Sequence, residues 1–285
     1  MDAKKLLAEL GMSGHPAGLG GCHVSGGHFE ACAHDMVVFD GGSGSRLAES
    51  DGDTVMVWHA SLSETRSGSL LGYDRLRIVC DESWELHMLL SRIEQRRKLL
   101  YADHARHCLV ESLLCCQKSR QYPGVLASCW QKCASYYLAD AICALNSCIP
   151  GSSHMLDALR SMQKAGRHIE TVTKTVGTER ATPTLLERIS KSAVGLADMA
   201  GYISQTIEPK RDYFVKNSMP SDCYFYLCHS SRESFVNLMS SSGRKPELEY
   251  ILKTAFDVES DSNLVMQHVE LVEKSCNELL GEPRN

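Results

Sequence analysis

No apolar run in this 285-residue chain approaches the roughly 18–20 residues that a membrane-spanning helix needs, so a helical membrane anchor is not expected. The first residues, MDAKKLLAELGM, hold no cleavable apolar core and read as a short amphipathic helix. Lacking an export signal, the chain is expected to be cytoplasmic, with its 13 cysteines as reduced thiols. Their odd number and irregular spacing fit no disulfide framework. The CxxC and HxxxH pairs that mark structural zinc are also missing, although Cys22, His23, His28, Cys32 and His34 lie close together in sequence. There is no P-loop, GxSxG or HExxH pattern, no hydrolase order among the Ser, His and Asp residues, and no repeat of fixed period. An excess of positive charge is lacking too. The net charge of -5 argues against nucleic-acid binding by bulk electrostatics and leaves open only a local basic groove.

What is there is a globular composition, 43% hydrophobic and 23% charged, with length enough for two domains. The reading is α+β. A first helix from Asp2 to about Leu10 is closed by Gly11. The glycine-rich stretch GMSGHPAGLGGCHVSGGH cannot be a regular helix. Strands are predicted at MVVFD (36–40), TVMVWHASL (54–62) and RLRIVC (75–80), with GGSGSRLAESDGD as a surface loop. From about Glu82 the apolar spacing becomes helical over roughly ten turns, until Pro123 and Gly124 break it. Helices over 125–148, 154–177 and 182–207 follow, the last with Thr182 as N-cap and Pro183 at its first position. PELEYILKTAFDV and NLVMQHVELVEKSCNELLGE complete a helical region. The domains are therefore expected to be 1–82 and 83–285. Cys129 and Cys133 fall on one helical face, where cysteine acts as a small buried hydrophobe.

The chemistry-bearing stretch is GGCHVSGGHFEACAHDMVVFDG, from Gly20. It resembles the signature of the nucleotidyltransferase superfamily, the polymerase-β-like fold, and most closely its archaeal predicted-nucleotidyltransferase branch, approximately GGSxxxGxHxExSDIDLVVYG. Gly20 and Gly21 fall on the family glycines and Cys22 on its serine. Gly26, His28 and Glu30 coincide. Cys32 stands before the first aspartate, Ala33 in that aspartate's place, and Asp35 at the second. The resemblance implies a triphosphate loop of Gly20, Gly21, Cys22 and Gly26, and Asp35 as the catalytic and metal-holding acid. It further implies Mg²⁺ as cofactor, an NTP as ligand, and transfer of a nucleoside monophosphate to an acceptor such as RNA, protein or a small molecule. Ala33 removes one of the paired carboxylates, and Cys22 replaces a hydroxyl with a weak donor. The usual third acid is not evident. The strand at 54–62 offers His59, Asp53, Asp74 and Asp81 stand at strand ends, and Asp40 has the wrong pleat parity relative to Asp35. The alternative is a catalytically inactive nucleotide-binding or interaction module. A third reading is a helical scaffold unrelated to nucleotides. Arg97 and His104 also have the spacing of the arginine–histidine signature of HEPN helical domains. The run from Arg92 to Lys98, and KRDYF at 210–214, are basic segments that could meet phosphate or simply face solvent.

Overall fold

A computed structural model describes residues 2–241 and 246–281. The architecture is α+β, a small mixed sheet followed by helices. Among the described residues no helix is long and apolar enough to cross a membrane. By internal contacts the chain divides into Met1–Asp103 and His104–Asn285, the division falling inside a single long helix. The change from strand to helix comes earlier, at Glu85.

The first unit runs α1 (Ala3–Glu9), β1 (Ala17–Gly20), α2 (Cys22–Ser25), β2 (His34–Val38), β3 (Ser45–Ser50), β4 (Asp53–His59), α3 (Ser67–Gly72), β5 (Arg77–Cys80) and the start of α4 (Glu85–Gln121). Asp2 caps α1, its carboxylate accepting from the amides of Lys4 and Lys5. Five strands lie in the order β3-β4-β2-β1-β5, with β2 and β4 parallel and the other pairs antiparallel. Three strands were expected, and two more are present. β1 lies within the glycine-rich stretch, between Gly11 and Gly21, both at positive φ, while Ala17–Gly20 themselves take none. β3 lies in the supposed surface loop, and SRLAES forms an antiparallel hairpin with β4 around Asp51 and Gly52, both at positive φ.

Alternation along the strands sorts their side chains. Met36, Val38, Val55, Val57, Ala17 and Leu19 point to one face and bury against Leu6 and Leu7 of α1. Asp35, Val37, Met56 and Trp58 therefore point to the other. On that second face Leu76 lies so close to β1 that a Cβ on Gly20 would sit 2.8 Å from its Cδ2.

The second unit contains the rest of α4, then α5 (Val125–Leu145), α6 (Met155–Ser161), α7 (Arg167–Val176), α8 (Pro183–Ala200), α9 (Ile207–Lys216), α10 (Pro220–Ser241), α11 (Pro246–Ala255) and α12 (Ser262–Gly281). The helix expected over 154–177 is two helices, since Met162 is extended and Ala165 takes φ +59° between them. Thr182 caps α8 through its hydroxyl, which accepts from Leu185 N, with Pro183 next, as the sequence implied. α5 is buried around nearly its whole circumference, its polar residues Ser128, Gln131, Lys132 and Ser135 included. Cys129 and Cys133 lie in that core with no exposed surface. Two hydroxyls tie α4 to α5: Ser112 donates to Ala134 O and Ser119 to Ala127 O, both at 2.7 Å.

Candidate functional site

The glycine pair and the acid are brought together by strand pairing. β1 runs antiparallel to β2 with Gly20 opposite Asp35. The chain then turns at Gly21, φ +69°, into the single turn of α2. The Asp35 carboxylate fills the space a side chain would need at position 21: a Cβ there would lie 2.0 Å from Oδ2. This is why the position must be glycine, for close approach as well as for its positive φ.

Where β1 ends and β2 begins, a recess of about 130 Å³ is lined by Leu19, Gly20, His23, Val24, His34, Asp35 and Arg77. Arg77 comes from β5, whose pairing sets it opposite Leu19. His23 comes from α2, with its ring stacked between those of His28 and His34 at centroid distances of 4.2 and 3.8 Å. Its Nε2 lies 3.0 Å from the Cys32 carbonyl oxygen. Burial, reinforced by the neighbouring His23, holds the His34 imidazole below its ordinary pKa. The His34 ring is therefore neutral at physiological pH, and it lies 3.8 Å from an Asp53 carboxylate oxygen.

Of the residues singled out in the sequence, Gly20 and Asp35 line the recess and Gly21 shapes it. Cys22 and Gly26 do not line it. The Cys22 thiol is hydrogen-bonded to Cys32, which, together with burial, pushes its pKa up. Gly26 follows α2 with φ +87° and has nothing within 4 Å of the place its Cβ would take.

Three of the acids that stand at or near strand ends are engaged in other ways. Asp74 accepts from Arg97 Nε at 2.9 Å. Asp81 caps the start of α4, accepting from the amides of Leu86 and His87 and pairing with His87 Nδ1 at 2.7 Å. Asp40 lies 2.6 Å from His59 Nδ1 and accepts from Gly42 N. Burial opposes its ionisation, but those two partners hold it below the usual carboxylate range. The side chain that meets Asp35 from the neighbouring strand is Trp58, whose Nε1 donates to Oδ1 at 2.9 Å. Mg²⁺ needs near-octahedral oxygen ligation. Ala33 supplies no ligand and Trp58 supplies a donor where a second acceptor is needed, so these residues do not make a two-metal centre.

Two residues of the site escaped sequence reasoning. Arg77 was read only as part of a strand, because nothing local reveals that β5 pairs with β1. Trp58 carried a weak signal, since alternation in TVMVWH places it on the opposite face from Val57. Arg97 Nε donates to Asp74 in the first unit, and in the second the His104 ring rests against the Cys108 sulfur at 3.7 Å. Comparison with known protein families and with curated proteins found no match for this chain.

Proposed function

We propose that the first unit is a nucleotide-binding module of nucleotidyltransferase descent that holds the phosphate tail of an NTP without transferring its nucleotidyl group. The observation that carries this reading is the convergence of Gly20, His23, Arg77 and Asp35 on one small polar recess at the strand ends, with Gly21 at the turn beside it. The guanidinium of Arg77 suits phosphate oxygens. Backbone at the glycines can approach an anion closely. Asp35 would meet a Mg²⁺ carried in by the triphosphate, most of whose ligands would be phosphate oxygens and water. Loss of transfer follows from Ala33 and Trp58, which leave one carboxylate where the chemistry of such enzymes uses two or three.

The test is calorimetric titration of the full chain with Mg·ATP and Mg·GTP, alongside a pyrophosphate-release assay. Binding without release is the expected result. Arg77→Ala should weaken binding by about tenfold or more, the scale of one charge-assisted contact. Trp58 is 43% exposed beside Asp35, so its fluorescence should change on binding and the change should vanish in Trp58→Phe. Steady pyrophosphate release by the unaltered chain would overturn the non-catalytic part of the proposal. No binding of any NTP would overturn the whole. Turnover gained by Ala33→Asp with Trp58→Asp would establish descent directly.

A further inference from the structure

The sulfur atoms of Cys22 and Cys32 lie within 4.8 Å of each other. Cys22 opens the single turn of α2 and Cys32 stands two residues before β2, so the pair spans the turn made by Gly26 and Gly27, both at positive φ. Both cysteines are partly exposed, whereas the cysteines of α4, α5, α10 and α12 are buried. Small oxidants reach buried thiols poorly. Cys80 and Cys148 are partly exposed as well, but in the Cys22–Cys32 pair an accessible thiol has a second accessible sulfur already in place.

We propose that Cys22 and Cys32 form a reversible disulfide that staples α2 to the entry of β2 and fixes the glycine turn between them. Reaching bonding distance takes side-chain rotation and a small closure of a turn whose two glycines tolerate it. The oxidant is a small disulfide of the glutathione class. The Cys22 thiol donates its hydrogen bond to Cys32 and is thereby held protonated, so the Cys32 sulfur attacks first. As a thiolate it forms a mixed disulfide and expels one glutathione thiolate. The Cys22 sulfur, giving up its proton, then attacks the mixed disulfide at Cys32 and releases the second glutathione. The two protein thiols lose two electrons and two protons in all, which convert one glutathione disulfide to two glutathione thiols.

The experiment is a titration of the full chain across glutathione redox buffers, followed by acid quench, alkylation and non-reducing peptide mapping. Labelling of Cys22 and Cys32 should be lost together and in equal measure, with a peptide linked through these two residues appearing and dithiothreitol restoring both. In Cys22→Ser, Cys32 should instead accumulate as a stable glutathione adduct. The proposal is overturned if the two sites lose label independently, if the unaltered chain stops at the adduct, or if other cysteines cross-link first. The readout is thiol chemistry alone, so its outcome is separate from that of nucleotide binding.

Discussion

Asp140 on α5 and Arg232 on α10 form a buried ion pair whose removal should be costly. Arg232 Nη1 donates to Asp140 Oδ2 at 2.5 Å, and His229 Nε2 lies 3.1 Å from Oδ1. The side chains of Arg232 and Asp140 are only 7% and 14% exposed, and the guanidinium also lies 4.2 Å from the centre of the Tyr137 ring. Burial by itself would favour a protonated Asp140. Arg232 and His229 outweigh it and hold the carboxyl well below its usual range. Asp140→Asn keeps the shape and removes the charge, leaving a guanidinium in the interior whose Nε already finds no acceptor among the described residues. Breaking a buried pair from one side costs about 3–5 kcal/mol. At roughly 2–4 °C per kcal/mol for a unit of this size, the midpoint should fall by on the order of 10 °C. Thermal unfolding followed by far-ultraviolet circular dichroism measures it, with urea unfolding for the free energy. Asp140→Leu combined with Arg232→Met removes both charges and should recover most of the loss. A single substitution costing under about 1 kcal/mol, or a double substitution as damaging as the single one, would refute the reasoning. The acid limb gives a further check. Because the folded pKa is depressed, the stabilisation is complete above the unfolded value near 4 and is lost as pH falls through the folded one. Asp140→Asn should therefore flatten the decline of stability below about pH 4.

Three other outcomes are expected. Gly21→Ala should destabilise the first unit by roughly 1–3 kcal/mol and abolish ligand binding, since its Cβ displaces the Asp35 carboxylate. Gly26→Ala should bring comparable backbone strain with binding intact, and calorimetry on both variants separates the two. Between about pH 6.5 and the lowered pKa values of His34, His104 and His268, all depressed chiefly by burial, stability should fall as pH falls, because the unfolded chain binds more protons; His104→Phe should reduce that slope in urea titrations. Lys132 is buried and donates to the Tyr224 hydroxyl at 2.8 Å and to Asp257 O at 3.1 Å. Burial lowers its pKa, so stability should rise with pH from the lowered value up to 10.5, a rise that Lys132→Met removes at a cost of about 1–3 kcal/mol.

The sequence by itself determined the α+β division, the long helix broken at Pro123, the Thr182 cap and the burial of Cys129 and Cys133, because each depends on local chemistry or on the period of apolar residues. The glycine pair and Asp35 were singled out by their resemblance to a family signature, and strand pairing sets Gly20 opposite Asp35; of the pair only Gly21 takes positive φ. Strands β1 and β3 were not legible, since Gly and Ser carry little strand preference and form ladders only when a partner strand supplies the hydrogen bonds. Only the tertiary structure set Arg77 on the recess that Asp35 also lines, through the pairing of β5 with β1 across more than fifty residues of chain. It likewise put Trp58 where an acid was sought and gave Asp40, Asp74 and Asp81 other partners. Contacts between distant segments are fixed by register and packing, which no local pattern encodes.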